Sequence, residues 1–240
     1  VDNGEAGYSE MGTGFSTSSL MAWGRPSFPM DGGINPFTAG SNRLLPISNS
    51  GVTASATWTA QLPRDGFYEV SISYTAFTAR VNDAHFLVRH AGGESSFRVN
   101  QQRHGATWVP LGTFYFKAGG VAQVVAQNDS TNTHANANVS LDAVKFGGGM
   151  GLIERGGGVS GRPRFEESSR YQAQWAGAPE TVYAPTSNTP ASDRTNDVGT
   201  RPRFAAWIHE PNEPAIYLAW HTNALGATNT TVRGTQFLEP

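Results

Sequence analysis

The sequence predicts a mainly β protein: a β-sandwich followed by a smaller, incomplete α/β region. Three observations predict it. Up to residue 147, short runs of alternating apolar and polar residues recur at roughly ten-residue spacing between glycine-rich turns. Glycine (28) and proline (14) are abundant while charged residues make up 15%, a balance that excludes a coiled coil. Beyond two glycine clusters, Gly147–Gly149 and Gly156–Gly158, the pattern turns helical and then reaches an unbroken apolar run.

Taken in order, the segment Gly24–Gly51 carries Pro26, Pro29, Pro36 and Pro46 among several glycines and reads as an irregular loop. Ala56–Ala60 alternates as a strand, and Leu62–Gly66 is turn chemistry. In the strand Phe67–Tyr74, Tyr68, Val70, Ile72 and Tyr74 share one face. His85–His90 ends at Gly92-Gly93, a pair suited to a hairpin turn. Ser96–Asn100, Thr107–Phe116, Val121–Gln127 and Val139–Phe146 supply the remaining strands. These elements make residues 1–147 one expected domain and residues 148–240 a second. In the second, Pro163 suits a first helical turn, Glu166 and Glu167 oppose the positive end of the helix dipole, and Gly177 with Pro179 stops the helix. A further helix is expected to begin near Pro202, carrying Phe204, Ala205 and Ile208. Ala215–Trp220 reads as a strand buried on both faces.

Composition narrows function. Six Trp, seven Tyr and thirteen Phe are too many for a chain that stays unfolded. A net charge of −2 argues against a nucleic-acid partner, and no apolar run approaches the ~20 residues of a membrane span. The absence of cysteine removes thiolate metal sites and cysteine nucleophiles. Two lysines and a surface rich in Asn, Thr, Ser and Gly lean towards an extracellular or cell-envelope location. His221 follows the apolar run, where an α/β sheet places its ligands, and Asn223 can point to the same side. The alternative for His221 is a cap at a strand end. Glu167 is either a metal ligand or an ordinary acidic residue of a first helical turn. His209-Glu210 reads as a helix C-terminus, and His85, His90, His104 and His134 lack ligand spacing. Trp58, Tyr68, Tyr74, Trp108 and Tyr115 are core aromatics by default, with sugar stacking as the alternative. There is no phosphate loop and no Gly-x-Ser-x-Gly elbow.

Two family resemblances follow from these strings. Residues 2–147 resemble the golvesin/xanthan-lyase carbohydrate-binding-like module through Asp2-Asn3-Gly4-Glu5, Ala56-Thr57-Trp58-Thr59, Gly66-Phe67-Tyr68-Glu69-Val70, Trp108–Phe116 and Leu141–Phe146. That resemblance implies a β-sandwich with a carbohydrate- or surface-binding role. Residues 148–240 resemble the C-terminal part of bacterial zinc-dependent N-acetylmuramoyl-L-alanine amidases through Asp197–Pro202 and Tyr217–Ala224. It implies zinc as cofactor, His221 as a zinc ligand, Glu167 as a second, and peptidoglycan or another cell-surface glycan as partner. The family's Gly-His-Gly turn is missing and its late catalytic glutamate should follow residue 240. The chain therefore reads as the middle of an exported cell-wall hydrolase. The alternative is a non-catalytic extracellular binding protein, or a structural one that self-associates.

Overall fold

The computed structural model describes residues 1–20, 22–23, 40–134, 136–147, 169–187 and 192–218. Eleven strands precede three helices: β1 (Tyr8–Met11), β2 (Ser16–Ser18), β3 (Asn42–Pro46), β4 (Ser55–Thr59), β5 (Gly66–Ser73), β6 (Ala84–His90), β7 (Gly93–Val99), β8 (Val109–Phe116), β9 (Gln123–Gln127), β10 (Asn138–Leu141), β11 (Ala143–Phe146), α1 (Ser169–Trp175), α2 (Glu180–Tyr183) and α3 (Asp193–Ile208). The protein is mainly β, and every pairing within its sheets is antiparallel.

A five-stranded sheet runs β1-β4-β9-β6-β7, and two three-stranded sheets run β10-β3-β2 and β11-β5-β8. Between their inner faces lies one apolar core. Trp58, Phe86 and Val124 meet Val70, Ile72, Phe116 and Val144 there, with Leu45 and Leu141 from the third sheet. The alternation in β5 is realised as expected: Tyr68, Val70 and Ile72 turn towards the core while Phe67 and Glu69 turn out. The β6–β7 hairpin closes with His90 opposite Gly93, whose φ of 119° lies in the region that favours glycine.

Three departures from the sequence reading are instructive. Within the segment expected to be an irregular loop, Asn42–Pro46 is a strand. Arg43 clasps Glu10 through Nε at 2.6 Å and Nη2 at 2.9 Å, while Leu45 is buried. The expected strand Val139–Phe146 is two strands in two sheets, parted by Asp142, because its first half pairs with β3 and its second with β5. β1 and β2, whose polar residues give no alternating signal, are held by pairing with β4 and β3.

In the tail, α1 ends as its glycine predicts. Gly177 takes φ 88° and the Ala178 N–H reaches back to the Ala173 carbonyl at 3.0 Å. The beginning expected at Pro163 lies outside the described residues. The second expected helix starts at Asp193, not near Pro202, so Pro202 sits inside α3. On either side of it, Thr200 Oγ1 donates to the Asn196 carbonyl at 2.7 Å and Arg203 Nε ties α3 to the Val182 carbonyl of α2 at 2.7 Å. Ala173, Ala178, Val182 and Tyr183 pack with Phe204 and Trp207 as a small second core. The buried strand expected over Ala215–Trp220 is not formed across the described residues 215–218. Ile216 is 87% and Leu218 86% exposed, since no described strand lies beside them to pair with.

Candidate functional site

The two outer faces of the sandwich carry different chemistry. On β5, outward parity places Phe67 and Glu69, and on β8 it places Thr113 and Tyr115. The register sets Phe67 directly opposite Tyr115 and Glu69 opposite Thr113. Phe67 is 75% exposed and Tyr115 38%, and their rings meet edge to face with centroids 5.3 Å apart. On the adjoining strand β11, Lys145 lies opposite Ser71. Its ammonium sits 5.5 Å over the Trp108 ring and 3.8 Å from Glu69 Oε1. Burial pushes the Lys145 pKa down to about 8, against the attraction of Glu69. Trp108 in turn packs against Trp23, the two rings tilted by 46° with centroids 5.0 Å apart. Phe67, Glu69, Thr113, Lys145, Trp108 and Trp23 wall a groove of about 1540 Å³ that also borders Gln61 and Arg64, and Tyr115 touches it only through its contact with Phe67. The groove thus offers apolar ring surface, a cation and a carboxylate side by side. That mixture suits a ligand with both apolar faces and many hydroxyls.

The outer face of the five-stranded sheet is saturated instead. His85 Nδ1 lies 2.8 Å from Asp129 Oδ1 and its Nε2 lies 2.9 Å from Ser96 Oγ. Arg98 reaches the other Asp129 oxygen at 2.5 Å, and Arg89 Nε donates to Glu94 at 2.8 Å. Burial pushes the Asp129 carboxyl up, but the bonds from His85 and Arg98 outweigh it and hold it below the usual aspartate range.

The structure sorts the residues singled out by sequence. Trp58 and Tyr74 are core, Trp108 is buried in the groove wall, and Tyr68 presents its ring to Phe116 while its hydroxyl donates to the Arg64 carbonyl. Tyr115 is a correction, because it faces outward as half of the aromatic pair. Phe67 was passed over by sequence reasoning, although the inward parity of Tyr68, Val70 and Ile72 already turns it out. His209 ends α3 as its C-cap, and Glu210 and Glu213 both reach His104, whose N–H donates to Glu210 Oε1 at 2.6 Å and whose Nε2 lies 2.8 Å from Glu213 Oε1. His221, Asn223 and Glu167, the expected zinc ligands and their neighbour, lie outside the described residues. Among the described residues, no three His, Cys, Asp or Glu side chains are grouped to hold a metal ion. No described helix is long and apolar enough to cross a membrane.

Comparison with known proteins finds relatives for the β region. A xanthan lyase of Bacillus sp. (strain GL1) is 35% identical over 107 residues, which is 45% of this chain and 11% of that protein. A solved structure of a Paenibacillus xanthan lyase is 28% identical, covers 61% of this chain and 12% of that one, and superposes with a TM-score of 0.49. The chain thus spans only a small part of the relatives it matches. Residues 36–148, which include every strand from β3 to β11, match the model of the Golvesin C-terminal domain.

Proposed function

We propose that the β region is a glycan-binding module of an extracellular protein and that its ligand lies along the outer face of the β11-β5-β8 sheet. One observation carries this reading: the exposed ring of Phe67 lines a groove whose polar groups, Lys145, Glu69 and Thr113, match the hydroxyls of a sugar, and Tyr115 extends that aromatic surface beside it. The fold gains little from leaving those two rings in water, whereas a pyranose face laid against them removes apolar surface from solvent. Similarity to part of a xanthan lyase favours a polysaccharide as the ligand class. The test is calorimetric titration of the chain with soluble polysaccharides, xanthan and peptidoglycan fragments among them. Micromolar to millimolar binding that disappears in a Phe67→Ala, Tyr115→Ala double variant supports the proposal. Equal binding by that variant overturns it.

The finer reading, a cell-wall amidase that uses zinc held by His221 and Glu167 with Asn223 beside the substrate, rests on the sequence resemblance of residues 148–240. Its test is release of peptide from peptidoglycan by the protein with zinc, which His221→Ala abolishes if the reading holds.

A further inference from the structure

We propose that Asp142 and Asn3, with Asp2 beside them, form an oxygen-lined site for a divalent cation of the calcium type, joining three distant segments behind the tryptophan wall of the groove. The site stands apart from the glycan reading, and cation binding is measured on its own.

Asp142 occupies the single position between β10 and β11 and is only 1% exposed. Its Oδ2 accepts the N–H groups of Ala22 at 2.8 Å and Trp23 at 2.9 Å. Its Oδ1 is buried with no hydrogen-bond partner among the described residues. The Oδ1 of Asn3 is buried and equally unmatched. The two belong to adjoining segments. Val1 and Val144 exchange backbone hydrogen bonds at 2.8 and 2.9 Å, and Asp2 bridges antiparallel to Ala143. Continuing that register sets Asn3 across from Asp142.

Two buried acceptors on facing segments, neither with a donor, are costly to leave so. No lysine or arginine is bonded to Asp142 among the described residues. Asp2 adds a second buried carboxylate whose charge acts on the first. Burial pushes the Asp142 carboxyl up to about 7, against the pull of its two N–H donors and with help from Asp2. A cation answers all of these at once: it takes the unmatched oxygens and neutralises the paired charge. Carboxylate and carboxamide oxygens are hard ligands, which selects calcium over softer metals. The cation would fasten the segment bearing Asp2 and Asn3, the segment bearing Trp23, and the junction of two sheets.

The test uses the whole chain, stripped with chelator and titrated with terbium while tryptophan is excited. Trp23, whose backbone is bonded to the same carboxylate, and Trp58, whose Nε1 donates to the Asp142 carbonyl at 3.0 Å, are close enough to sensitise emission. The expected result is saturable emission displaced by calcium, a melting temperature raised by at least about 2 °C in calcium, and loss of both in Asp142→Asn. Asn3→Asp is the second variant and should bind terbium at least as tightly as the parent. Terbium emission unchanged in Asp142→Asn, or melting indifferent to millimolar calcium in the parent, overturns the proposal. Destabilisation of Asn3→Asp that calcium does not repair also overturns it, because the Asn3 amide would then be serving Asp142 as a donor.

Discussion

The two outer faces of this sandwich rest on the same core yet spend their side chains differently. On the five-stranded sheet, His85, Asp129, Arg98, Arg89 and Glu94 bond one another, and few polar groups are left to offer a ligand. On the three-stranded sheet, Phe67 and Tyr115 stand in solvent, with Lys145 and Glu69 beside them. The lesson is that a binding face shows itself less by what it contains than by what it leaves unspent. Charges are paired on both faces; what sets the three-stranded sheet apart is the aromatic pair it leaves exposed, the surface on which the glycan proposal rests.

The largest expected effect removes what both faces share. Trp58→Ala deletes the largest fully buried side chain of the core and should cost about 3–5 kcal/mol in urea unfolding. If only one face lost its structure, as judged by amide exchange, the common-core picture would fail. Next, Phe67→Ala alone should weaken polysaccharide binding about tenfold, roughly 1.4 kcal/mol, with unfolding within about 0.5 kcal/mol of the parent. The opposite pattern, lost stability with intact binding, would exchange the roles assigned to the two faces.

Asp129→Asn tests the saturated face. It should cost about 1–2 kcal/mol at neutral pH, because His85 and Arg98 lose a charged acceptor, and leave glycan affinity unchanged. The pH dependence sharpens it. A carboxyl held below its ordinary value of about 3.9 stabilises the fold fully above that pH. The contribution is lost as pH falls through the lower folded value. Acid unfolding of Asp129→Asn should therefore be shallower than that of the parent. The smallest effect is at Lys145. Polysaccharide affinity should fall about two- to threefold as pH rises through about 8 and the ammonium loses its proton. Lys145→Arg, which stays charged, should remove that dependence.

Much of this fold was written in local pattern, and the exceptions share a cause. β5, β6 and β8 announce themselves because alternate residues enter a core, and the Gly92-Gly93 pair marks its hairpin. Asn42–Pro46 hid among prolines and glycines, since what makes it a strand is pairing with β2 and with the distant β10. The division at Asp142 was hidden for the same reason: its two halves answer to different partners. In Ala215–Leu218 the error ran the other way, with an apolar run promising burial that needs neighbouring strands to supply it. At the groove, the outward parity of Phe67 was legible. Its pairing with Tyr115 was not, because register across 48 residues is a property of the sheet rather than of either string.

The joint at Asp142 also sets a timetable. β10 completes one three-stranded sheet and β11 another, so residues 138–146 finish both at once, each pairing with a strand far upstream. A growing chain that stops at Ala137 has neither, and such long-range closures are slow to form. During synthesis the five-stranded sheet thus has all its strands by Gln127, while the other two sheets close only once residues 138–146 have emerged.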